Sequence, residues 1–73
     1  MKKIIQMIDL DCANCAQRME RNIAKLNGVK YINIDFLTQQ MIIDIDDGFD
    51  FDNVMKFVRK TVQIINSDCD IKY

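Results

Sequence analysis

From Ile4 to Leu10 the chain is short, apolar and rich in β-branched residues, with apolar side chains at both parities. That pattern predicts a strand inside a sheet rather than at its edge. The small polar residues 11–14 predict a loop. From Cys15, apolar positions recur at Met19, Ile23 and Leu26, with Ala16 beside them and Arg18, Arg21 and Lys25 on the opposite face. This is the spacing of an amphipathic helix. Asn27-Gly28 stops it, Gly28 being free to take the left-handed C′ conformation. Val29 to Phe36 alternates, with Ile32, Ile34 and Phe36 opposed to Asn33 and Asp35, as in a half-buried strand. Thr38-Gln39-Gln40 predicts a hairpin turn. A third strand follows, with Met41, Ile43 and Ile45 alternating with Ile42, Asp44 and Asp46, and Asp46-Asp47-Gly48 ends it. Residues 51–65 return to helical spacing, with Phe51, Val54, Phe57, Val58, Thr61, Val62 and Ile65 on one face and Asp50 or Asp52 available to cap the first turn. Asn66-Ser67-Asp68 breaks this helix. Cys69, Ile71 and Tyr73 then alternate with Asp68, Asp70 and Lys72 as a last short strand.

The order is βαββαβ. Two right-handed βαβ units sharing one sheet predict an α+β ferredoxin-like sandwich, a four-stranded antiparallel sheet with both helices on one face and the other face wet. At 73 residues the chain is expected to form a single domain, residues 1–73. No apolar run approaches the length of a membrane span. The start is basic then apolar, but Asp9 and Asp11 interrupt it before it reaches the uncharged middle of a signal peptide. A cytoplasmic, monomeric unit without direct membrane insertion is expected.

Composition narrows the chemistry. There is no His, Trp or Pro, so catalysis through a Ser-His-Asp or Cys-His pair is excluded, as are imidazole zinc sites. A formal net charge of -1 argues against nucleic acid, which calls for a basic surface. An RNA-binding module of this fold class would also need stacking aromatics where strand three has Ile42 and Asp44. Three cysteines, Cys12, Cys15 and Cys69, do not make a disulfide framework. Cys12 lies in the loop after strand one and Cys15 in the first turn of the helix. Unpaired backbone N–H groups there lower thiol pKa values, so both sulfurs are expected to ionise near neutral pH. Two converging thiolates suit a soft or borderline metal ion.

At Leu10-Asp11-Cys12-Ala13-Asn14-Cys15-Ala16, with Met19-Glu20 and Leu26-Asn27-Gly28-Val29 beyond, the chain resembles the heavy-metal-associated domain family. That family includes small copper chaperones and the N-terminal metal-binding domains of P1B-type ATPases. The resemblance covers essentially the whole chain and implies the same ferredoxin-like fold, with Cys12 and Cys15 as metal ligands. Leu10 stands where the family usually has Met, and Asp9 where Gly is common. Asp-Cys-x-x-Cys resembles the domains of zinc, cadmium and lead exporters, whereas copper carriers more often have Thr, Ser or His at the position of Asp11. Chemistry runs the same way: Cu(I) is satisfied by two thiolates, while Zn(II) takes four ligands and accepts carboxylate oxygen.

The resemblance therefore implies a non-enzymatic carrier of Zn2+ or Cd2+, with Cu+ as the alternative, that passes its ion by ligand exchange to a metal-transporting P-type ATPase in cis or in trans. A free metallochaperone and a domain of a longer transporter both stay open. Asp11 is either an oxygen ligand, or a helix N-cap or a charge near the helix dipole. Cys69 is a candidate third ligand, but its parity with Ile71 points to the core. Met7, Met19 and Met41 lie on apolar faces and read as packing. The acidic run Asp44, Asp46, Asp47, Asp50 and Asp52 lacks the spacing of a calcium loop. A thiol-disulfide oxidoreductase is the rival from another class. The absence of Pro and the βαββαβ order count against it.

Overall fold

The computed structural model describes residues 1–73 and has the expected order: β1 (Lys2–Ile8), α1 (Ala13–Ile23), β2 (Val29–Asp35), β3 (Gln40–Ile45), α2 (Phe51–Ile65) and β4 (Asp70–Lys72). The four strands form one sheet in the order β2-β3-β1-β4, and every neighbouring pair is antiparallel. β1 is central, as its apolar sequence predicts, flanked by β3 and β4. Both helices pack on the face that carries Ile5, Met7, Ile32, Ile34, Met41, Ile43, Ile45 and Ile71. These side chains, with Met19 and Ile23 of α1 and Val54, Met55, Val58 and Val62 of α2, form one core. The other face is open, and Ile4 on it is 67% exposed. Central placement in β1 thus concerns hydrogen bonding, not burial on both sides.

Polar side chains bind the layers together. Glu20 of α1 accepts from the Ile34 N–H of β2 at 2.9 Å. Arg59 of α2 donates to Asp70 Oδ1 at 3.0 Å and to the Ile71 carbonyl at 2.9 Å, and its guanidinium lies 5.0 Å from the centre of the Tyr73 ring. A three-residue edge strand offers little pairing of its own, so this arginine does much to hold β4 in place.

Several local expectations are corrected. β1 ends at Ile8, not Leu10, because Asp9 adopts φ 58° and turns the chain out of the ladder. α1 ends at Ile23, with Leu26 half-buried beyond it. Gly28 is therefore not the C′ residue of the helix; its φ of 94° serves the turn into β2, where a Cβ would stand 2.8 Å from Phe49 Cγ. In α2, Phe57 is 61% exposed and Met55 is fully buried. At about 100° per residue, Met55 falls about 40° from the centre of the apolar stripe and Phe57 about 120° from it. Asp50 occupies the N-cap position of α2 without making a side-chain cap bond.

Candidate metal site

β1 runs up the middle of the sheet, and its C-terminal end delivers the chain to the loop that starts α1. The helix begins at Ala13, two residues before the predicted start, and Cys12 itself is the N-cap. Cys12 Sγ accepts a hydrogen bond from the Cys15 N–H at 3.1 Å, and the Cys12 carbonyl accepts from the Ala16 N–H at 3.0 Å. A sulfur thus takes the place of the usual Ser, Thr or Asp oxygen. This overturns the N-cap alternative for Asp11. The Asp11 carboxylate instead accepts at Oδ1 from Asn66 Nδ2, 3.0 Å away, at the C-terminal end of α2.

Cys12 and Cys15 are both partly exposed and both free thiols. They do not ionise alike, contrary to the expectation of two thiolates near neutral pH. Hydrogen bonds from the Cys15 side chain and backbone hold the Cys12 thiol below the usual cysteine value. The same bond to Cys12 raises Cys15, and desolvation adds to it. The first proton leaves from Cys12, and the resulting charge discourages loss of the second. The pair therefore differs in acidity, Cys12 being the more acidic thiol and Cys15 the less.

Cys69 lies just before β4 and is 0% exposed, packed in the core as its parity suggests. Burial pushes its thiol up to about 11, and the nearby Asp70 and Asp11 carboxylates add to the effect. No three Cys, His, Asp or Glu side chains are gathered closely enough to hold an ion between them. The two loop thiols are close together, but neither Asp11 nor Cys69 joins them in a ready-made group of three. A groove of about 330 Å³, lined in part by Leu26, Phe49, Val54 and Phe57, lies beyond the other end of α1.

These environments order the thiols by reactivity. Brief iodoacetamide treatment of the metal-free protein at neutral pH is expected to label Cys12 first, Cys15 more slowly, and Cys69 only after unfolding. Peptide mapping by mass spectrometry reads this order. Labelling of Cys15 ahead of Cys12 would contradict the assignment of the first proton.

Sequence reasoning missed Gln39 and Asn66, which reach the Cys-x-x-Cys loop from distant parts of the chain. Gln39 bonds both backbone polar groups of Leu10, and Asn66 bonds Asp11. Neither carries a motif, and only the folded chain brings them to the loop.

The heavy-metal-associated domain model matches residues 4–67. Over 52 residues, 71% of this chain, the sequence is 35% identical to a cadmium, zinc and cobalt-transporting ATPase of Helicobacter pylori. Over 56 residues, 75% of this chain, it is 34% identical to heavy metal-associated isoprenylated plant protein 45 of Arabidopsis thaliana. The aligned segments span only 7% and 32% of the lengths of those two proteins. The fold is that of the N-terminal domain of the copper(I) ATPase PacS in its apo form, with a TM-score of 0.77 at 21% identity over 99% of this chain and 90% of that one. With the family match extending from β1 past the end of α2 and enclosing the Cys-x-x-Cys turn, the chain belongs to the heavy-metal-associated domain family.

Proposed function

We propose that this chain is a carrier for a borderline metal ion, Zn2+ or Cd2+ before Cu+, which it passes by ligand exchange to a metal-transporting P-type ATPase, in cis or in trans. The observation that supports this most directly is the Cys12–Cys15 pair at the start of α1, partly exposed and joined by a hydrogen bond that holds the Cys12 thiol below the usual cysteine value. Such a site binds and releases from the same open side. A thiolate of the partner approaches, a new sulfur–metal bond forms as the bond to Cys12 or Cys15 breaks, and the ion crosses with its charge unchanged. Ala13 and Asn14, small and exposed, leave that approach clear. Arg18, Arg21 and Lys25 are exposed on α1 and suit an acidic docking surface. No helix is long and apolar enough to cross a membrane. We read the chain as a cytoplasmic binding module, not an enzyme.

Asp11 carries the preference for Zn2+ and Cd2+. Asp11 precedes Cys12 in the chain, and turning its carboxylate from the Asn66 amide to a bound cation would supply the oxygen donor and negative charge that Zn(II) accepts. The 35% identity to a cadmium, zinc and cobalt transporter adds support. A specific observation favours the copper(I) alternative: only two soft donors are preassembled, which is all Cu(I) needs.

Titration of wild type and Asp11→Ala with Zn(II), Cd(II) and Cu(I) in competition with chromophoric chelators separates the two. Zn(II) and Cd(II) affinity is expected to fall tenfold or more in the variant, with Cu(I) little changed. Equal losses for all three ions, or none, would remove the basis for preferring zinc and cadmium.

A further inference from the structure

Beyond the cysteines, the geometry points to Gln39 as a positioning residue for metal binding, holding the chain in place where it leaves the sheet and enters the metal loop. Leu10 lies outside every strand and helix, two residues before Cys12, and its side chain is buried in the core. Its backbone N–H and C=O have no strand partner there. Gln39, in the turn between β2 and β3, supplies both: the Leu10 N–H donates to Gln39 Oε1 at 3.0 Å, and Gln39 Nε2 donates to the Leu10 carbonyl at 2.6 Å. One side-chain amide thus stands in for the neighbouring strand that the ladder no longer provides. Nε2 also donates to the Phe36 carbonyl at 3.0 Å. The Gln39 carbonyl in turn accepts from the Met7 N–H at 2.8 Å and from Gln6 Nε2 at 3.1 Å.

The backbone supports the same reading. Only two non-glycine residues have positive φ, Asp9 and Gln39, both at 58°. They flank this clasp, one turning the chain out of β1 and the other presenting the amide to it. Glutamine has no intrinsic preference for the left-handed region, where Gly or Asn is the usual choice. A strained conformation held at such a place points to a role for the side chain.

The inference rests on Cys12 and Cys15 binding metal. By fixing Leu10, Gln39 fixes the departure of the loop and hence the placement of Cys12 Sγ over the Cys15 N–H. Partners that hydrogen-bond a ligand directly typically matter about ten- to a hundredfold to metal affinity, and Gln39, acting through the backbone of Leu10, is placed at the low end of that range.

Two variants isolate the amide. Gln39→Gly accepts φ 58° without strain, so it removes the amide while relaxing the backbone. Gln39→Asn also tolerates that φ and keeps an amide, but is one methylene too short to serve both groups of Leu10. Asp35→Ala is the control: Asp35 Oδ1 accepts from the N–H groups of Leu37 and Thr38 in the same turn and does not touch Leu10. Two quantities are measured, Cd2+ affinity by chelator competition and, in the metal-free protein, hydrogen exchange of the Cys15 amide. Both Gln39 variants are expected to keep the wild-type circular dichroism spectrum, weaken Cd2+ binding about tenfold and expose the Cys15 amide severalfold faster. Asp35→Ala is expected to do neither. Wild-type values of either quantity in the Gln39 variants, or equal losses in Asp35→Ala, overturn the positioning role. A wild-type protein that binds no Cd2+ would defeat the carrier reading instead, and the Cys15 exchange rate would still decide whether Gln39 places the loop.

Discussion

Replacing Cys12 and Cys15 together by Ser is expected to abolish binding of Zn(II), Cd(II) and Cu(I) while leaving the fold intact. Serine offers no anion near neutral pH, so the thiophilic ions lose both of their strong donors. The structural cost is small because the only local role of Cys12 is to accept the Cys15 N–H at the helix start, and a serine oxygen does that at least as well. Cys15 is partly exposed and packs only against the edge of the core. The sulfur-to-metal charge-transfer absorption on adding Cd(II) should disappear, with the urea midpoint changed by no more than about 0.5 kcal/mol of stability. Collapse of the far-ultraviolet spectrum in the double variant would show that the cysteines are structural.

The largest stability effect is expected at Ile43→Ala, at a loss of about 3 kcal/mol. Ile43 is fully buried on β3, opposite Lys3 of β1 and Ile32 of β2, beneath both helices. The neighbouring strands cannot close on the void without leaving register, so both the transfer and cavity contributions apply. A domain of this size has a total stability of order 5 kcal/mol, so the variant should be close to unfolding at ambient temperature. Urea denaturation followed by circular dichroism measures it. A loss under about 1 kcal/mol would mean that the core repacks around the site, against the picture of one tightly shared layer. The open face gives the contrast. Ile4→Ala removes a side chain that is already 67% exposed and should change stability far less.

The elements most legible in the sequence were those whose residues report on their own neighbours. Alternation in β2 and β3 placed Ile32, Ile34, Met41, Ile43 and Ile45 on the buried face correctly, because a strand's side-chain period is fixed by its backbone. The βαββαβ order followed, and with it the sheet, since handedness leaves few ways to join such elements. Phe57 was misplaced because its apolar character was weighed above its position: at about 120° from the centre of the stripe, the helical period already puts it outside. The start of α1 was placed late because a cysteine is an unusual N-cap, and propensity alone does not mark Cys12 as one.

The sequence by itself determined the family and marked Cys12 and Cys15 as the candidate pair, because Cys-x-x-Cys after a central strand is a local pattern. Tertiary structure alone decided what surrounds them. It gave Asp11 to Asn66 from 55 residues away and seated the Gln39 amide on Leu10 from 29 residues away. Each of these depends on which side chains the closed sheet brings to one end of β1. No spacing along the chain encodes that, since a hydrogen bond forms wherever the fold leaves a polar group without a partner.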